Sequence, residues 1–301
     1  MANIYQQISS NKIRSGFILT LFIAFILVVA YIITVSFNLD NSLIIGAIAF
    51  SLISSLSGYF AGDKMVLSLN QAKPADNKNY FDFYTVVENL SQVNQTPVPK
   101  IYVIDSPAPN AFATGRDPKH SAVAVTQGLL DSLNDNELQA VLAHELGHIQ
   151  NYDIRVSMIA FGLVAVVSII SDFVLRWFFW GRALGDDNDG PGGNNPLFMV
   201  FGVVALILAP IVATLIQLAI SRKREYLADA TAALTTRYPD ALISALQKIQ
   251  SASSTMKKQN PSTAHLFFAN PLTKKSFSNL FSTHPPIEER IRALQEMGSK
   301  A

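Results

Sequence analysis

The chain has 301 residues, of which 50% are hydrophobic and only 15% charged, with a net charge of +1 and no cysteine. Soluble domains carry about 25% charged residues, so a chain this apolar is not wholly soluble. The absence of cysteine excludes disulfides and thiolate metal sites. The near-zero charge, with no basic run interleaved with aromatics, gives no reason to expect a nucleic-acid partner, and no nucleotide partner is expected either.

Lys12 and Arg14 precede an uncharged run from Ser15 to Phe37, long enough to cross a bilayer and too long for a signal peptide. Asn38 to Asn41 form a polar turn, and a second uncharged run follows from Ser42 to Gly62. Together residues 1–62 read as a membrane hairpin, in which Gly58-x-x-x-Gly62 lets another helix approach closely. Residues 63–155 are soluble in character. Helical spacing covers Phe81 to Gln92, and β-like runs follow at Ile101 to Ile104, Asn110 to Gly115 and Ala122 to Thr126. Asn134, with Glu137 three residues on, signals the capped start of a helix that buries Leu138, Val141, Leu142 and Ile149.

That helix carries His144-Glu145-Leu146-Gly147-His148. Histidines four apart project from one helix face and can share a metal ion. Zinc takes neutral imidazoles at about 2.0–2.1 Å and, in catalytic sites, leaves one position open to water. Glu145, beside the first histidine, is placed to act as general base on that water as it attacks a carbonyl.

Residues 156–221 read as a second membrane hairpin. One apolar stretch runs from Val156 to Trp180, interrupted by Asp172 and Arg176, and an uncharged one from Leu197 to Ser221, with a Gly/Asp/Asn-rich loop between them. Lys and Arg flank the outer ends of these spans, whereas the first joining turn has neither and the second loop has only Arg182 against three aspartates. The positive-inside rule then puts both termini and the soluble parts on the cytoplasmic side.

Residues 222–301 supply the second cytoplasmic part. Glu225 and Asp229 are four apart, and alone they read as a solvated helix face. Beside a two-histidine site, Glu225 reads as the third metal ligand and Asp229 as the acceptor that fixes a ligand's tautomer. Because Glu225 follows span four by four residues, the metal is expected within about 6 Å of the bilayer. Asn110, Ala111, Phe112 and Ala113 read either as a plain edge strand or as one to which an extended substrate adds. His284, ahead of Pro285 and Pro286, reads as a donor to a group that holds a metal ligand, an oxyanion contact or a turn residue, with Arg290 as a candidate partner. Pro285 and Pro286 start a helix with Ile287, Ile291 and Leu294 on its inner face.

The H-E-x-x-H motif, Glu225-x-x-x-Asp229, the Asn110-Ala-Phe-Ala-Thr-Gly115 stretch and Thr283-His284-Pro285-Pro286 together resemble the HtpX family of heat-shock membrane proteases over nearly the whole chain. These are gluzincin-type zinc peptidases related to the CAAX prenyl proteases. The resemblance implies one zinc ion per subunit at His144, His148 and Glu225, with Glu145 as base. It also implies a stress-response enzyme of the cytoplasmic (inner) membrane that cleaves damaged membrane proteins. The expected fold is an α+β zincin-like peptidase domain, mostly α with a small antiparallel sheet, combined with four transmembrane helices. Two rivals share these residues: a CAAX-type processing protease with a dedicated substrate, and a membrane scaffold with a structural zinc.

Overall fold

The computed structural model describes residues 4–37, 42–164, 222–252, 263, 266–269 and 285–298. The expected spans beyond residue 164, and His284, lie outside the described residues. Two long helices open the chain: α1, Ile4–Phe37, and α2, Ser42–Leu69. Among the described residues one segment, Ser9–Val28 of α1, is long and apolar enough to cross a membrane. Helix α2 continues without a break past Gly62, so the boundary expected there falls inside a helix.

A small sheet follows, built from β1 (Lys73–Pro74), β2 (Lys100–Ile104), β3 (Ala111–Asp117) and β4 (His120–Thr126), with α3 (Phe81–Val93) inserted after β1. The strand order is β1-β2-β4-β3. Strand β4 pairs antiparallel with β3 but parallel with β2, so the sheet is mixed and not antiparallel as expected. The physical reason is that the chain reverses into β3 at the outer edge, then reverses again to fill the slot beside β2. Gly115, at φ 135°, sits in the β-bulge that closes this hairpin, a backbone state open to glycine at little cost.

Alternation along the strands divides the core in two. Ile101, Val103, Ala111, Ala113, Val123 and Val125 face one cluster with α3 and the helices that carry the site. Ile104, Phe112, Ala122 and Ala124 face another with Val66 and Leu67 of α2 and Met158 and Phe161. The sheet therefore separates the chemical half of the molecule from the half bearing the apolar helices.

After β4 come α4 (Gln127–Ser132) and α5 (Asp135–Gln150). Asn134 and Glu137 form the expected capping box at the start of α5. Leu138, Val141, Leu142, Leu146 and Ile149 are all buried, so α5 is the central helix of its cluster. Helix α6, described over 153–164, leads away from it. A Cβ on Gly162 of α6 would come within 2.9 Å of the Gly58 Cα. The small-residue motif of α2 is thus matched by a glycine on α6, and the two backbones touch. Helices α7 (Arg222–Thr236), α8 (Pro239–Ser251) and α9 (Ile287–Gly298) complete the cluster, with Leu294 buried and Ile287 and Ile291 packed against the core.

Candidate metal centre

Helix α5 presents His144 and His148, and α7 crosses it to present Glu225. The two Nε2 atoms lie 3.1 Å apart. The Glu225 carboxylate straddles them, 3.7 Å from His144 Nε2 and 3.6 Å from His148 Nε2. Tetrahedral ligands at zinc distances lie about 3.3 Å from one another, so this spacing fits three ligands of one such ion. The ring orientation argues the same way. Both Nδ1 atoms are committed to carboxylates, which leaves two Nε2 atoms facing each other, and that approach needs a proton or a cation between them.

The partners behind the two histidines differ. His144 Nδ1 donates to Asp229 Oδ1 at 2.9 Å. Arg290 grips the same carboxylate with both arms, Nε to Oδ2 at 2.9 Å and Nη2 to Oδ1 at 2.6 Å. Nη2 also comes within 3.4 Å of His144 Nδ1, but a nitrogen that donates to Asp229 has no lone pair left to accept. Burial would raise Asp229, yet Arg290 and His144 hold it below the usual carboxylate range. Burial, aided by the charges of Arg290 and His148, pushes His144 down to about 4.

His148 Nδ1 donates to Asp153 Oδ2 at 2.9 Å. Burial opposes a charged ring here too, but the Asp153 bond and the carboxylates of Glu225, Asp153 and Glu145 raise His148 to about 9. Glu145 is buried, and its charge is felt at His148 and at Arg290.

The remaining sequence expectations divide. Arg290 is fully buried behind His144 and spends its guanidinium on Asp229 and the Phe268 carbonyl. It therefore supports a ligand and does not face a substrate. Asn110 pairs its side-chain amide with both backbone groups of Ala269, donating at 2.7 Å and accepting at 3.0 Å, which ties it to the chain instead of to a bound peptide. Phe112 is buried against Phe267, with ring centroids 5.0 Å apart. Ala111 and Ala113 do lie on the edge strand β3, but the Ala111 carbonyl already accepts from Phe268 N at 2.7 Å.

Three residues at the centre were not singled out from sequence. Phe268 sets its ring edge-on to His144 at 5.0 Å, beneath the Arg290 guanidinium. Asp153 takes the role for His148 that Asp229 has for His144. Its only sequence signal is a carboxylate just past the helix stop, where Tyr152 at φ 61° turns the chain back. Asn11 of α1 reaches that carboxylate from 142 residues away, and nothing local announces it.

Two histidines on one helix placed to share a metal ion, a carboxylate from a second helix and a further glutamate beside the pair fit a metallopeptidase. The comparisons agree. The model of peptidase family M48 matches residues 82–298, and the chain belongs to that family. It is 48% identical to a protease HtpX homolog of Tropheryma whipplei (strain Twist), over 98% of this chain and 99% of that one. A protease HtpX homolog of Dictyoglomus turgidum is 42% identical, over 98% of this chain and 95% of that one. The crystal structure of S. mikatae Ste24p superposes with a TM-score of 0.50 at 23% identity. This chain spans 93% of its own length in that match and 62% of the other chain; the likeness is one of fold.

Proposed function

We propose that this metallopeptidase is a membrane-integrated zinc endopeptidase that cleaves misfolded or damaged membrane proteins on the cytoplasmic side of the bilayer. The observation that carries the reading is the convergence of His144, His148 and Glu225, whose donor atoms all lie within 4.8 Å of one another, next to the buried Glu145. Zinc held there supplies Lewis acidity, acidifying water and polarising the scissile carbonyl. Glu145 takes the proton from the attacking water and returns it to the leaving amine. Asp229 and Asp153 hold the two Nδ1–H groups, so that both Nε2 lone pairs remain directed at the metal position. Beyond Ala111, an extended peptide joining the edge of β3 would meet the backbone groups of Ala113.

The membrane part of the proposal is supported by α1 and α2. Phe17, Leu21, Val28, Ile45, Phe50, Ile53 and Leu56 are exposed, a surface suited to lipid and unfavourable in water. We take residues 1–62 and 156–221 as the two membrane hairpins and 63–155 and 222–301 as the cytoplasmic parts, with both termini inside. Because the chain lacks cysteine, single cysteines report topology without background. Cysteines placed at Asn41 and Asn188 should react with an impermeant reagent from outside intact cells, and one at Thr236 should not; the reverse pattern overturns the orientation. For the chemistry, a chelator should abolish cleavage of unfolded casein by the detergent-solubilised protein, and zinc should restore it. Cleavage that survives chelation contradicts the reading.

A further inference from the structure

We propose that Asn11 is a positioning residue for the metal ligand His148, acting through Asp153, so that the first helix of the chain is part of the support of the metal centre. The proposal rests on reading His144, His148 and Glu225 as that centre.

Asn11 is fully buried, although Lys12, Ile13 and Arg14 beside it on α1 are exposed. Its Nδ2 donates to Asp153 Oδ1 at 2.8 Å and to the Asn151 carbonyl at 2.8 Å. Both partners only accept, so the amide nitrogen must be the atom that faces them. Its Oδ1 is left buried with no hydrogen-bond partner among the described residues, an unfavourable arrangement that a helix needing only to pack would avoid. The two bonds pin both ends of the three-residue turn that follows α5, whose middle residue, Tyr152, holds φ at 61°. The other oxygen of Asp153 is the one bonded to His148 Nδ1. A relay of two hydrogen bonds thus runs from α1 to the ring that must present its Nε2.

The contrast with Asp229 shows why the relay matters. Arg290 fixes Asp229 bidentately. Arg224 Nε also approaches Asp153 Oδ1, but at 3.8 Å, beyond hydrogen-bond reach. Asn11 therefore supplies a short bond that anchors this carboxylate on the side away from His148. Around it, Lys12 lies 4.9 Å from the Tyr152 ring centroid, so the foot of α1 is seated on the turn through more than one contact.

The test uses the full-length, detergent-solubilised protein and reads metal binding directly. Asn11→Ala should weaken zinc binding about tenfold, the lower end of what losing an outer-shell partner costs, and should shift the visible absorption bands of the cobalt(II)-substituted protein. Thr20→Ala, exposed on the same helix, should do neither. In an Asp153→Asn background, Asn11→Ala should change zinc affinity less than about twofold, because residues acting through one another are not additive. Should Asn11→Ala fail to fold, Asn11→Ser, which keeps one donor, provides the same cobalt readout. Unchanged affinity and spectrum, or fully additive losses in the double variant, overturn the proposal while leaving the metal site intact. A wild-type protein that binds neither zinc nor cobalt sinks the site itself, and this inference with it.

Discussion

The two histidines of one helix turn sit in opposite electrostatic settings. Each gives its Nδ1–H to a buried aspartate at 2.9 Å, yet His144 is pushed down to about 4 and His148 up to about 9. The difference lies behind the aspartates. Arg290 cancels the charge of Asp229, so His144 has burial against it and little net anion in its favour. Asp153 is backed by a neutral amide and a more distant guanidinium, and Glu225 and Glu145 add to its field. Burial thus favours the neutral form of His144, whereas the carboxylates around His148 favour its charged form, which a metal would have to displace. A histidine–carboxylate pair cannot be read from the pair alone; the group behind the carboxylate sets the sign.

Removing the cation should break this comparison most severely. Arg290→Ala leaves Asp229 charged and buried without its cation, with only the His144 Nδ1–H still bonded to it, which should cost about 3–5 kcal/mol of unfolding free energy by denaturant titration. His144, in any variant population that folds, should titrate well above its wild-type value. An Arg290→Ala protein of unchanged stability would mean that Asp229 is not ionised. Asp153→Asn attacks the other side. It should weaken zinc binding 10- to 100-fold, about 1.4–2.7 kcal/mol, and lower the pKa of His148.

Acid and base should act on the two sides in opposite directions in metal-free protein. The lowered pKa of His144 makes the folded state lose stability as pH falls from about 6.5 toward about 4. The raised pKa of His148 contributes stability that is present below about 6.5 and lost as pH rises through about 9. Zinc must displace that proton, so affinity should climb close to tenfold per pH unit between 7 and 9. Calorimetry in two buffers should find about one proton released per zinc at pH 8; none released would erase the asymmetry. The smallest effect is a control that touches both sides alike. Asn134→Ala removes the cap of α5 and should cost about 1 kcal/mol, leaving the difference between the two histidines unchanged.

What could be read from the chain was what neighbours in sequence decide. Helical spacing put His144 and His148 on one face and, on a second helix, Glu225 beside Asp229. The capping box at Asn134 and Glu137 was equally local. Pairings across the chain were not legible in this way. Nothing in Ile101 to Ile104 or Ala122 to Thr126 says that they run parallel, because that follows from where β3 lands. Strand β1 is two residues long, too short for any alternation. Asn110 reads from sequence equally as a plain edge strand or a substrate edge, and its amide is used to hold Ala269. Asp153 and Asn11 meet only because α1 folds back over the end of α5, and Arg290 is claimed by Asp229. In each case a tertiary contact chose among roles that the residue type allowed.

In the proposed mechanism Glu145 activates water at a metal held by His144, His148 and Glu225. The most direct measurement compares the wild type with Glu145→Gln for zinc per chain and for cleavage of unfolded casein. Equal zinc, one per chain, with cleavage lost only in the variant, is the result this account predicts. Cleavage retained by Glu145→Gln would contradict it and place the base elsewhere.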